Sequence, residues 1–275
     1  MFLKWIRLIR VGQWYKNLLI FAALFFSGTL LNIDLLWLCV LGFVGLCLTS
    51  SSGYILNDIL DRKIDSDNKK KPIAQGEISI FVAVVVSILF LTVGAVLLYS
   101  LSFKVLLVGL ILFLSTVFYS IIFKKMVFLD IILIAVNFVL RALAGVFLLD
   151  VRLSSWFLTV IFFTALYLVS GKRIAELVQK TKKSISQHYT KKILEGMTYI
   201  FLSIDLVLYV LYSYFEGKLF LIYLSPILLY MFLIIQSHIH QGDNYIRHFE
   251  SMFKDKRFLI ASIIYLLLVF AGFYL

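Results

Sequence analysis

Three aspartates at fixed spacing are the first residues in this chain that could do chemistry. The run Ser50-Ser51-Ser52-Gly53-Tyr54 leads into Asn57-Asp58-Ile-Leu-Asp61-Arg-Lys-Ile-Asp65. On a continuing helix Asp58, Asp61 and Asp65 fall at i, i+3 and i+7 and share one face. Three carboxylates on one face repel each other unless a cation lies between them. Hard oxygen donors suit magnesium, which binds through one or two carboxylates together with substrate phosphates. Asp58 and Asp61 are thus candidate catalytic residues, and Asp58, Asp61 and Asp65 are candidate magnesium ligands. The plainer reading is a solvated acidic helix end with Arg62 and Lys63 as partners. Asn57, placed just ahead at the end of an apolar run, favours the metal.

Basic residues stand where phosphates would need them. Lys69-Lys70-Lys71-Pro72-Ile-Ala-Gln-Gly76 follows the aspartates, so a polyanion could bridge metal and ammonium. Further on, Tyr167 leads into Lys172-Arg173-Ile-Ala-Glu176. Glu176 lies at i+4 from Lys172 and i+3 from Arg173, so the three can share a helix face. The planar arginine fork matches phosphate oxygens. The competing reading is a salt-bridged membrane boundary. A third set, Asp130, Asn137 and Arg141, falls within about 20° of one line at about 100° per residue. An ionisable residue at membrane depth marks a site or a buried partner. Asp205 is the other deep charge, and a structural Arg141–Asp205 pair is the alternative. Lys16-Asn17 and Lys124-Lys125 lie at a membrane boundary, where lysines often serve only as snorkelling anchors.

The elements that must position these groups are membrane helices. The chain has 275 residues, 62% of them hydrophobic and 15% charged. Soluble domains are about 45–50% apolar and about 25% charged. A soluble enzyme, a disordered tail and a secreted disulfide scaffold are excluded. A helix needs about 20 residues to span. Apolar runs give nine spans, near 18–31, 35–56, 78–99, 103–123, 127–149, 154–171, 193–214, 219–236 and 258–275. Residues 1–17 form an interfacial segment, mixed apolar and basic over Phe2–Arg10. Cys39 and Cys47 are separated by about 12 Å on a helix, too far for a disulfide. The four histidines show no zinc-site spacing.

Charge sets the topology. Of the 26 basic residues, only Lys104, Arg141, Arg152 and Lys218 lie away from one set of alternate loops. The positive-inside rule then places the N-terminus in the cytoplasm and the C-terminus outside. The loops 57–77, 172–192 and 237–257 are the long cytoplasmic ones, and loops of that length are usually functional or disordered. The expectation is an all-α, polytopic membrane protein of one domain, 1–275, in a cell (inner) membrane. The formal charge of +11 does not point to nucleic acid, which needs a soluble basic face. The partners expected are the lipid bilayer and phosphorylated substrates, and a homo-oligomer is compatible with the architecture.

These residues together resemble the UbiA superfamily of intramembrane prenyltransferases. The likeness runs from Arg10-Val-Gly-Gln13-Trp14-Tyr-Lys16-Asn17 through the Asn57–Asp65 motif and Pro72-Ile-Ala-Gln-Gly76. It goes on to Tyr119-Ser120 with Lys124, and to Arg141-Ala-Leu-Ala-Gly145. It implies a UbiA-type bundle of nine transmembrane helices. Aromatic prenyltransferases of the superfamily carry a second aspartate-rich motif. Here Lys172-Arg173-x-x-Glu176 stands in its place and looks like the decaprenyl-phosphate phosphoribosyltransferase branch. That branch moves phosphoribose from phosphoribosyl pyrophosphate to a polyprenyl phosphate. The resemblance implies Mg2+ as cofactor and Asp58, Asp61 and Glu176 as catalytic residues. It implies substrate binding by Lys16, Asn17, Asn57, Lys71, Tyr119, Lys124, Arg141, Lys172 and Arg173. Prenyl transfer from a diphosphate to an aromatic or other small acceptor is the alternative on the same metal site. A transporter is disfavoured because no inverted repeat is visible, and a purely structural membrane subunit would leave the acidic motif without a task.

Overall fold

The computed structural model describes residues 2–66, 68, 71–152, 154–179, 189–247 and 249–275. Lys69, Lys70, Lys180, Lys182, Lys183, His188 and His248 lie outside the described residues. Eight helices are long and apolar enough to cross a membrane. They are α3 (Ile33–Leu60), α4 (Ile80–Leu101), α5 (Phe103–Ile121), α6 (Leu129–Leu149), α7 (Ser155–Val178), α8 (Lys191–Phe215), α9 (Phe220–Gln241) and α11 (Lys256–Tyr274). They match eight of the nine spans expected from hydropathy. Shorter pieces are α1 (Phe2–Leu8), α2 (Phe21–Phe26) and α10 (Asn244–Arg247).

The first expected span, 18–31, is not one long α-helix. Its residues belong to a 3-10 segment, Val11–Ile20, which passes into the short α2. Leu8 of α1 is fully buried and packs with Ile55, Ile73, Ile78 and Ala83, with Trp5 and Ile9 alongside.

The helix ends follow local chemistry. Asn32 caps α3 by accepting from the Asp34 and Leu35 amides at 3.0 and 3.2 Å. Ser79, Thr190 and Asp255 cap α4, α8 and α11 in the same way. Such caps satisfy amides that have no partner inside the helix. Several helices run past the apolar stretch that defines each span. Thus α7 continues through Lys172, Arg173 and Glu176 to Val178, and α9 reaches Gln241.

Contacts divide the chain into two compact units. The first holds Met1–Lys124 and Asn137–Leu153, and the second holds Lys125–Val136 and Ser154–Leu275. In the first unit α3 packs on α4 and α5. Small residues allow this closeness, which is what associates helices in lipid. A Cβ added at Gly45 would lie 2.6 Å from Leu98, and one at Gly94 would lie 3.1 Å from the Gly45 carbonyl. Ser52 and Ser87 hydroxyls meet at 2.9 Å in the same seam. The 3-10 segment lies against α6, because a Cβ on Gly145 would come within 2.1 Å of the Ile20 carbonyl oxygen. In the second unit α7 packs on α8, and α9 packs on α11. Tyr167, fully buried on α7, donates to Gln236 Oε1 at 3.0 Å.

Candidate active site

The last turn of α3 delivers Asn57 and Asp58, and Asp61 caps its end. The helix therefore stops before Asp65, contrary to the continuing helix assumed from spacing. One further turn survives, because the Asp65 amide donates to the Asp61 carbonyl at 2.9 Å. Asp58 is 2% exposed. Its Oδ1 accepts from both Arg10 and Lys71. Lys71 also pairs with Asp65 at 3.6 Å, so one ammonium joins two of the three aspartates. Asp61 turns instead to Lys124. Asn57 accepts from Arg10 at 3.2 Å and donates to Ser120 Oγ at 2.5 Å. Burial, followed by repulsion from Arg10, pulls the Lys71 ammonium below its ordinary value, while Asp58 and Asp65 oppose that shift.

Arg10 is the residue that spacing did not single out. Its backbone is left-handed, φ 51 and ψ 49, which is uncommon for a residue with a Cβ. That turn aims its guanidinium at Asp58 and over the Tyr54 ring, 5.1 Å away. The available signal was its place at the head of the Arg10–Asn17 motif.

Deeper in the same unit Asn17 is 1% exposed. Its Oδ1 accepts from Arg141 Nε at 2.8 Å, and its Nδ2 donates to Cys47 Sγ at 3.2 Å. Lys16 is half-buried near Phe138, and Tyr119 is half-buried at the end of α5. The Arg141–Asp205 alternative is replaced by other partners. Arg141 uses Asn17 and the Asn137 carbonyl, and Asp205 accepts from Thr164 at 2.8 Å within the second unit.

The second unit holds the other motif. Arg173 donates to Asp130 from Nε at 3.1 Å and Nη2 at 3.0 Å, and to Glu176 from Nη1 at 2.7 Å. Asp130 is fully buried and also accepts from the Tyr189 hydroxyl at 2.5 Å. Burial and then this bond push the Tyr189 phenol up. Lys172 precedes Arg173 on α7 and is half-buried. The Arg173–Glu176 pair was legible from i, i+3 spacing. The Asp130 and Tyr189 contacts were not.

Asp58, Asp61 and Asp65 suit a divalent cation by donor chemistry, since all are hard carboxylates. Asp58 Oδ2 is buried and has no hydrogen-bond partner among the described residues. Among those residues no three His, Cys, Asp or Glu side chains stand together at metal-binding distance. The carboxylates are instead spread over Arg10, Lys71 and Lys124. Positive groups thus stand beside carboxylates at the end of α3.

A multi-pass α-helical membrane protein with an acidic motif at one end of its third helix is the class defined here. The chain belongs to the UbiA prenyltransferase family, whose profile matches residues 18–263. It is 31% identical over 179 residues to the decaprenyl-phosphate phosphoribosyltransferase of Mycolicibacterium smegmatis, covering 62% of this chain and 56% of that protein. It is 29% identical over 196 residues to the enzyme of the same name from Corynebacterium glutamicum, covering 66% and 59%. The matched part is thus less than two thirds of those relatives. Among solved structures, a UbiA homolog from Archaeoglobus fulgidus bound to GPP and Mg2+ has a TM-score of 0.76 at 20% identity. That likeness covers 98% of this chain and 99% of the other, and it is a likeness of fold.

Proposed function

We propose that this protein is a magnesium-dependent polyprenyl-phosphate phosphoribosyltransferase of a cytoplasmic membrane. The observation that carries the reading is Asp58, buried between two cations with one oxygen left over. The relatives named decaprenyl-phosphate phosphoribosyltransferase support the choice of donor and acceptor. So does Lys172-Arg173-x-x-Glu176 in place of a second aspartate motif.

Asp58, Asp61 and Asp65 would hold magnesium, which supplies charge neutralisation on the leaving pyrophosphate. Arg10, Lys71 and Lys124 orient those carboxylates, and their ammonium and guanidinium groups meet the incoming pyrophosphate oxygens. Lys172 and Arg173 contact phosphate, with Arg173 held in place by Asp130 and Glu176. An oxygen of the lipid phosphate attacks the anomeric carbon of ribose. The new carbon–oxygen bond forms as the bond to pyrophosphate breaks. The acceptor is already anionic, so no strong general base is needed. The apolar bulk of the bundle shelters the isoprenoid tail.

Purified protein supplied with magnesium, polyprenyl phosphate and labelled phosphoribosyl pyrophosphate should form lipid-linked ribose phosphate. No labelled lipid would sink the reading. The Archaeoglobus neighbour bound to GPP and Mg2+ favours a second one, prenyl transfer from a diphosphate. A parallel incubation with geranyl diphosphate and an aromatic acceptor tests it.

A further inference from the structure

Arg10 reaches Asp58 from a backbone conformation that a residue with a Cβ rarely adopts. It stands between α1 and the 3-10 segment at φ 51 and ψ 49. Such a conformation costs free energy and persists only where the surroundings fix it. The Ser51 hydroxyl, fully buried on α3, donates to the Ile9 carbonyl at 2.8 Å. The Trp14 indole Nε1 donates to the same hydroxyl oxygen at 3.0 Å. One side chain therefore ties down the chain on both sides of Arg10. A hydroxyl has a single proton, and the indole N–H on its oxygen leaves that proton to the Ile9 carbonyl. The Gln13 amide closes the turn by donating to the Arg10 carbonyl at 2.8 Å.

Ser51, Tyr54 and Asp58 stand at i, i+3 and i+7 on α3, so they share one face. They meet the Arg10 corner at three successive heights. Ser51 holds its backbone, the Tyr54 ring lies 5.1 Å from the guanidinium, and Asp58 accepts from Nη2. The next serine does something different, because Ser52 turns to Ser87 on α4 at 2.9 Å. Ser52 joins two membrane helices, whereas both partners of Ser51 belong to the Ile9–Trp14 corner.

We propose that Ser51 is a positioning residue for polyphosphate binding. It fixes the left-handed turn at Arg10 and so aims the guanidinium at the oxygens of a magnesium-bound pyrophosphate beside Asp58. The inference rests on the reading that Arg10 meets the pyrophosphate, whichever group that pyrophosphate leaves.

The test measures binding of inorganic pyrophosphate, with magnesium, to the full chain in detergent. Ser51→Ala should bind it about tenfold more weakly, the order of one lost hydrogen bond. Ser52→Ala, one position along the same helix, should bind it as wild type does. Arg10→Met separates positioning from packing, because Ser51 acts through Arg10. In the Arg10→Met background Ser51→Ala should cost less than about twofold more, as coupled residues do in a double-mutant cycle. Trp14→Phe, which removes only the indole donor, should weaken binding in the wild-type background and not in Arg10→Met. It carries the test if Ser51→Ala does not fold. Unchanged affinity in folded Ser51→Ala, or an equal loss with and without Arg10, overturns the positioning role. Wild type that does not bind magnesium pyrophosphate overturns the polyphosphate reading and this inference with it. The expected pattern in a protein that forms no lipid-linked ribose phosphate supports the role of Ser51 and overturns only the choice of donor.

Discussion

Asp58 shares one oxygen between Arg10 and Lys71 while its other oxygen has no partner among the described residues. Replacing it with Asn keeps the volume and removes the charge that holds the two cations together. Asp58→Asn should still fold, with a lowered melting temperature. Turnover should drop about a hundredfold or more, because the metal's contribution to charge neutralisation is lost. Full activity in a folded Asp58→Asn protein would mean that the motif is structural. The three aspartates and the Arg173–Glu176 pair were legible because their spacing is local. Arg10 with Asp58, and Asp130 with Arg173, are separated by 48 and 43 positions. A single sequence carries no sign of such pairings, so these partners emerged only with the fold.

At the scale of elements, hydropathy located eight of the helices, because lipid demands long apolar runs. It did not locate their ends. Charged residues extend a helix as readily as apolar ones, which is why α7 carries Lys172 through Glu176. The first expected span differs in kind. Ten residues of 3-10 helix and six of α-helix rise about 29 Å together, at about 2.0 and 1.5 Å each, near the roughly 30 Å hydrocarbon core. Val11–Phe26 should therefore cross the membrane as a ninth segment. A tag after Leu275 should then be reached only by external reagents in intact cells, and a tag reached only after permeabilisation would make this segment re-entrant. The start of α11 offers a pH test. Asp255 caps that helix, and hydrogen bonds, first from Arg257, hold its carboxyl well below its ordinary value of 3.8. A depressed carboxylate stabilises the fold fully above its unfolded value, and that contribution fades as pH falls through the depressed value. Asp255→Asn, which retains a capping oxygen, should be less stable than wild type at neutral pH. The gap should begin to narrow as pH falls below the ordinary carboxylate value and close as it falls through the depressed one, and a gap that does not narrow over that range would argue against the ion pair.

The whole molecule carries an apolar excess that resolves into membrane helices and a positive excess concentrated near their ends. Membership in the UbiA prenyltransferase family accounts for the bundle and for the acidic motif at the end of α3. The donor is the property that composition and spacing leave least constrained, since either a prenyl diphosphate or phosphoribosyl pyrophosphate presents the same polyphosphate to the aspartates. The lipid product separates them by mass. Purified protein should be incubated with magnesium, polyprenyl phosphate and phosphoribosyl pyrophosphate, and the extracted lipid weighed by mass spectrometry. A lipid heavier by one phosphoribosyl group, formed by wild type and lost in Asp58→Asn, is the result predicted. Unmodified polyprenyl phosphate, alongside prenylation of an added aromatic acceptor by the same preparation, would contradict it.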